Sequence, residues 1–292
     1  MSSQDTLQRF LFEHAAVRGQ YLHLDGTWQA ILARHDYPTA VRRLLGETLV
    51  AAGLLGSTLK GHGRLVIQVN GHGPVNLLVA EATAQRTLRG MAQWNAPVPD
   101  GADLAASFGD GRMAITLEPQ DGGERYQGIV PLEGADLAGA FEGYLARSEQ
   151  LPTRLWLAVD GRRASGLMLQ RIPGQSDVDT DTWERACHLA DTVTEAELLG
   201  LDGDRLRHRL FHEEDLRLFE AEPVRFACSC SRERVAGTLR SLGVDEVRSI
   251  IAEQGSVDVN CEFCNRHFHF DPVDAEQLFV ADDPLAGSPT RH

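Results

Sequence analysis

Four of the five cysteines fall in two short clusters: Cys228-Ser229-Cys230 and, thirty residues later, Cys261-Glu262-Phe263-Cys264. Thiolates are soft ligands, and four of them can surround one zinc ion as a tetrahedron with Zn–S distances of about 2.3 Å. The same two clusters could instead close as two local disulfides, and their spacing alone leaves both chemistries open. His267 and His269 are rival ligands, but four cysteines already complete a tetrahedron. A thioredoxin-type site would place CxxC at a helix start after a strand, where the thiolate is stabilised. Here CxxC reads as lying between strands, beside Glu262.

The residues around the cysteines read as a small module. Val235, Leu239 and Leu242 repeat at helical spacing and stop at Gly243; Val247, Ile250 and Ile251 repeat and stop at Gly255. Val257-Asp258-Val259 alternates into Cys261 and Phe268-His269-Phe270 alternates out of Cys264, which predicts a hairpin whose turn is the CxxC knuckle. So few large apolar residues make a marginal core, and a structural metal is the usual remedy at this size.

Upstream, the pattern predicts an α+β domain over residues 1–176. Val17-Arg18-Gly19 and Leu24-Asp25-Gly26 read as turns around Gln20–His23. A helix is expected from about Pro38, with Val41, Leu44, Leu45, Leu49, Ala52 and Leu55 on its apolar stripe. Leu65–Val69 and Val75–Ala80 flank Asn70-Gly71, a hairpin signal. Gly61-His62-Gly63 and Gly71-His72-Gly73 resemble the start of a phosphate loop. However, neither continues with a third glycine or Gly-Lys-Ser/Thr, so both read as turns. Further strands are expected at Arg86–Met91, Arg112–Leu117, Tyr126–Pro131, Leu155–Val159 and Leu167–Ile172, with a helix over Leu137–Ser148. The absence of a βαβ rhythm argues α+β.

Residues 177–222 read as an acidic helical linker, and residues 223–292 as the cysteine module. Asp177, Asp179 and Asp181 begin like a calcium loop, but Thr182 and His188 stand where glycine and glutamate are required. A helix is expected near Trp183, a second behind the capping box Thr194–Glu197, and a third from Asp202 carrying Leu206, Leu210 and Phe211. Glu213-Glu214-Asp215 reads as a solvated run. Such helices need a surface to pack on. Cys187 and His188 do not form a nucleophilic pair, because adjacent helical residues point about 100° apart. Cys187 reads as a small buried hydrophobe.

The formal charge of −14 is uneven. Residues 1–176 carry 16 basic and 17 acidic groups, residues 177–222 carry 5 and 14, and residues 223–292 carry 7 and 11. No basic stripe is present to neutralise phosphates, which argues against nucleic acid as a partner and against a zinc-dependent nucleic-acid regulator. The most apolar run, Leu49–Leu59, contains two glycines and is too short to span a bilayer. Met1-Ser2-Ser3-Gln4-Asp5 lacks the basic and apolar regions of a secretory signal. A cytoplasmic location and no membrane partner are the resulting expectations, and in a reducing compartment clustered cysteines favour metal or redox roles over permanent disulfides.

The CxC–thirty residues–CxxC pattern resembles the redox switch of the heat shock protein 33 family. Phe10–Arg18, Gly71–Leu78, Leu88-Arg89-Gly90, Tyr126–Val130, Ser148–Thr153 and Gly166–Gln170 are similar to that family as well. The resemblance implies a redox-regulated, ATP-independent holdase chaperone, and no enzyme. It implies one zinc held by Cys228, Cys230, Cys261 and Cys264 in an inactive reduced state. Oxidation would then pair Cys228 with Cys230 and Cys261 with Cys264, release the zinc and unfold the linker. The implied partners are unfolding client proteins, a second copy in an active homodimer, and ATP-dependent chaperones downstream. A thiol–disulfide oxidoreductase is the alternative.

Overall fold

The computed structural model describes residues 5–59, 63–119, 123–172 and 181–280. The expectations placed on Met1–Gln4, Gly61-His62, Pro173–Ser176, Asp177 and Asp179 lie outside these residues. The chain divides into two compact units, Met1–Ala227 and Cys228–His292.

The first unit opens with strands β1 (Thr6–Phe12) and β2 (Val17–Leu24) and helices α1 (Gly26–Leu32) and α2 (Thr39–Gly56). Next come β3 (Gly63–Asn70), β4 (Val75–Thr83), β5 (Thr87–Trp94), the short α3 (Leu104–Phe108), β6 (Arg112–Pro119) and β7 (Tyr126–Pro131). Helix α4 (Leu137–Ser148) leads to β8 (Thr153–Val159) and β9 (Ala164–Arg171). The acidic stretch then folds as α5 (Thr182–Ala190), α6 (Glu195–Gly200) and α7 (Gly203–Phe211). Short strands β10 (Leu216–Leu218), β11 (Glu222–Pro223) and β12 (Arg225–Phe226) close the unit.

Two six-stranded sheets form. One has the order β10-β1-β2-β9-β8, with β11 also on β1; the other has the order β12-β5-β4-β3-β6-β7. Pairing is antiparallel except between β12 and β5. Helix α2 lies between the sheets, which explains a stripe so wide that Leu45, Leu49, Val50, Ala51, Ala52 and Leu54 are all fully buried. The α+β class expected from the pattern is the class observed.

The first sheet is buried on both faces. Leu7, Leu22, Leu24, Leu155 and Met168 point to α2, whereas Phe10, Phe12, Tyr21, Leu167 and Leu169 point the other way. That second face is covered by the acidic stretch, through Ala186, Cys187, Leu198, Leu206, Leu210 and Phe211. The described residues of 177–222 therefore lie within the first unit. Caps set their ends: Thr194 and Glu197 form the expected capping box, and Asp202 accepts from Arg205 N. The Tyr21 hydroxyl donates to the carbonyls of Leu198 and Leu201 at 3.0 and 2.9 Å, and Asp191 accepts from Arg154 and Trp156.

Some local expectations change in this setting. Val17-Arg18-Gly19 is strand, and the turn lies at residues 13–16. Gly19 is required there because a Cβ would stand 2.0 Å from the Phe10 ring. Glu214 is not solvated but ion-paired with Arg185 at 2.6 Å, with its side chain 12% exposed. The Asn70-Gly71 hairpin forms with a four-residue connection. His72 N and Gly73 N both donate to Phe108 O, so these amides tie the turn to the end of α3 and are not free to cradle a phosphate.

Glu47 on α2 carries a pH signature. Burial pushes its carboxyl up to about 7; Arg43, 3.8 Å away, opposes the rise, while Asp136 and Glu195 add to it. A carboxyl raised in the folded state stabilises the fold fully below its unfolded value, and that contribution is lost as pH rises through 7. Glu47→Gln is thus expected to leave the melting temperature nearly unchanged at pH 4. At pH 8 the variant should be the more stable by about 3 kcal/mol. Melting curves of both proteins across that range check this, and a difference independent of pH would contradict it.

Candidate metal centre

The second unit comprises helices α8 (Arg232–Leu242) and α9 (Val244–Gln254), strands β13 (Val257–Asn260) and β14 (His267–Phe270), and α10 (Pro272–Val280). Cys228 and Cys230 lie on the extended segment entering α8, whose first turn is capped by Ser231 accepting from Arg234 N. Strands β13 and β14 pair antiparallel from Val257↔Phe270 to Asn260↔His267, so the CxxC occupies the hairpin turn as expected. Cys261 N donates to Arg266 O and Asn265 N to Cys261 O, which folds the knuckle back on itself. Asn265 sits at φ +55, a left-handed conformation that asparagine tolerates better than most residues.

This geometry brings both cysteine limbs together. The four sulfurs all lie within 4.8 Å of one another, with Cys228 Sγ to Cys261 Sγ at 3.7 Å and Cys230 Sγ to Cys264 Sγ at 3.3 Å. Sulfurs placed tetrahedrally about 2.3 Å from one ion stand about 3.8 Å apart, so the donor set fits a Cys₄ site. The four could hold a metal ion. Burial, followed by hydrogen bonding with Cys264, Cys228 and Cys261, pushes the Cys230 thiol upward; burial also raises Cys264. Crowded thiols keep their protons, and a divalent cation in their midst inverts that preference.

The histidines lie elsewhere. His267 Nε2 and His269 Nδ1 sit 2.7 and 2.9 Å from Asp258 Oδ1 on the exposed face of the hairpin. Cys187 belongs to α5 of the first unit, and burial pushes its thiol up to about 11, as befits an inert core residue beside the exposed His188.

The module's core is Ala236, Leu239, Val247, Val257, Phe268 and Phe270, completed by Ala275 and Leu278 from α10. Leu242, expected on the apolar face of α8, is 53% exposed, and Ala236 takes the inward position. Gly255 ends α9 at φ +80, where its lack of a Cβ is needed. Helix α10 escaped the sequence reading. Asp271-Pro272-Val273-Asp274 was its signal, a cap residue followed by proline at the first helical position. Asp271 Oδ1 does accept from Asp274 N at 2.7 Å.

Fold and site together define a protein with an α+β body and a separate module whose four clustered thiols could hold a metal ion. Comparison with known proteins places it more closely. The family model described as Hsp33 protein matches residues 5–271. The 33 kDa chaperonin of Nitrosococcus oceani is 51% identical over 292 residues, covering 100% of both chains. That of Methylobacillus flagellatus is 49% identical over 294 residues, again covering 100% of both. The crystal structure of the 33 kDa chaperonin (heat shock protein 33 homolog) from Thermotoga maritima superposes with a TM-score of 0.82. It is 23% identical and covers 96% of this chain and 100% of that one, so the fold is shared. The chain belongs to the Hsp33 family. No helix among the described residues is long and apolar enough to cross a membrane.

Proposed function

We propose that this chain is a redox-regulated, ATP-independent holdase, inactive when reduced and active when its switch cysteines are oxidised. The observation that carries the proposal is the meeting, within 4.8 Å, of four thiols from two limbs thirty residues apart. Cys228, Cys230, Cys261 and Cys264 would hold one zinc ion, which when bound supplies a cross-link between those limbs and keeps the thiols deprotonated.

Oxidation changes which residues are tied together. In each pair, two thiols lose two electrons and two protons to one peroxide, which leaves as two waters, and a disulfide forms. The proposed products are Cys228–Cys230 and Cys261–Cys264. Each closes a minimal loop and constrains the chain little, whereas a tie from Cys230 to Cys261 closes about thirty residues. The sulfur contacts Cys228–Cys261 at 3.7 Å and Cys230–Cys264 at 3.3 Å cross between the limbs. Disulfides of that kind would preserve the long loop, so mapping the bonds by mass spectrometry tests the local pairing directly.

Loss of the long tie leaves a module with a small core, which then unfolds. Residues 177–222, with net charge −9, act as the linker that follows, since self-repulsion favours an open acidic chain. Lifting α5–α7 would bare Phe10, Phe12, Tyr21, Leu167 and Leu169, a contiguous apolar sheet face of the kind that captures unfolding clients. The working form is a homodimer in the cytoplasm that later yields its clients to ATP-dependent chaperones. The thiol–disulfide oxidoreductase alternative is disfavoured because Cys261 and Cys264 lie in a hairpin turn and not at a helix start.

The test measures zinc content and suppression of a thermally unfolding protein's aggregation, before and after peroxide treatment at elevated temperature. Zinc loss with gained suppression is expected. Zinc loss without it would reduce the module to a structural site, and sustained catalytic disulfide reduction would favour the oxidoreductase.

A further inference from the structure

We propose that Arg232 is a positioning residue for the metal centre, a second tie between the two cysteine limbs that raises metal affinity without touching the ion. The inference rests on the four-cysteine metal reading above. Arg232 stands two residues after Cys230, in the first turn of α8. Its Nη1 donates to His269 O at 2.6 Å and its Nη2 to Asp274 Oδ2 at 2.7 Å. The guanidinium also lies 4.1 Å over the Phe270 ring. One side chain thus joins the limb carrying Cys228 and Cys230 to the strand leaving the CxxC knuckle and to the start of α10.

The partners of Arg232 lie 37 and 42 residues away, while the sulfur contact Cys230–Cys264 spans 34. The arginine and the four thiols therefore close nearly the same loop, in parallel. Whichever forms first has already ordered the chain for the other, so the two ties reinforce each other. The Arg232–Asp274 ion pair is half-exposed and its charge attraction alone is worth little. The effect comes from the planar fork, which meets two acceptors and an aromatic face at once, a geometry lysine cannot reproduce.

Arg248 supplies the control. It makes an equally good two-point contact with Glu276, at 2.7 and 2.8 Å, but joins α9 to α10, neither of which carries a cysteine. The experiment is competition for Zn²⁺ between the reduced full-length chain and a chromophoric chelator, with Co²⁺ absorption reporting the ligand set. Arg232→Ala is expected to weaken Zn²⁺ binding about ten-fold, the lower end of what outer-shell partners of a metal site contribute. Arg232→Lys should fall between it and the parent, and Arg248→Ala should bind as the parent does. Asp274→Asn should lose part of the affinity and add nothing to Arg232→Ala in the double variant.

Every variant should keep the Co²⁺ thiolate band, showing that the ligands remain. Parent-like affinity in Arg232→Ala, or an equal loss in Arg248→Ala, would overturn the positioning role while leaving the four-cysteine reading intact. A parent chain with no thiolate band would overturn that reading, and the positioning role with it.

Discussion

Stripping the zinc proposed at Cys228, Cys230, Cys261 and Cys264 from the reduced protein with a chelator is expected to unfold residues 228–280 while α2 and the two six-stranded sheets stay folded. A structural zinc contributes on the order of 10 kcal/mol to the folding of a small module. Whole domains are typically stable by only about 5–15 kcal/mol. The module has a small core centred on Leu239, Val247, Phe268 and Phe270, and its Arg232–Asp274 and Arg248–Glu276 ion pairs are half-exposed. These cannot replace the ion. Hydrogen exchange read by mass spectrometry checks the outcome under reducing conditions, so that no disulfide intervenes. Peptides from α8 to α10 should lose protection on chelation, and peptides from α2 and the two sheets should keep it. Retained protection in α8 and α9 would mean that packing alone holds the module, and the proposed switch would lose its physical basis.

The second large effect is expected at Phe211. Its side chain is 2% exposed, and its ring centroid lies 5.9 Å from that of Phe10 and 5.5 Å from that of Phe12. Replacing a buried phenylalanine by alanine costs about 3–5 kcal/mol. Here the loss falls on a local docking, that of α5–α7 onto the sheet, and a local opening has less stability to spare than the whole domain. Phe211→Ala is therefore expected to be cut by protease between residues 182 and 216, even when reduced and zinc-loaded. It should also suppress aggregation of an unfolding client without any oxidant. Cleavage without gained suppression would place the client surface elsewhere. A variant still dependent on peroxide would show that undocking this segment is not sufficient for activity.

How much of this could be read from the chain depended on how local the information was. Helix α4 runs over Leu137–Ser148 and β7 over Tyr126–Pro131, the bounds expected, because periodicity and caps reside in the segments themselves. The capping box at Thr194 and Glu197 is equally local and equally visible. Gly19 misled because glycine marks both turns and close approaches; only the Phe10 ring across the strand pair distinguishes them. Leu242 misled because it falls on the helical stripe at the end of α8, where little packs against it. Helix α10 carries its start signal in the sequence, but the arginine contacts that depend on it join residues 42, 38 and 28 positions apart and are not visible there.

By itself the sequence determined the four thiols, their thirty-residue spacing and the acidity of residues 177–222. Those are covalent facts, and they set the chemistry that the module can perform. The tertiary structure alone decided that the two limbs meet within 4.8 Å. It also decided that the acidic helices lie on an apolar sheet face and that Arg232 spans the limbs beside the site. Each of these joins residues tens of positions apart, and such pairings are settled only when the whole chain closes its loops against the entropy of keeping them open.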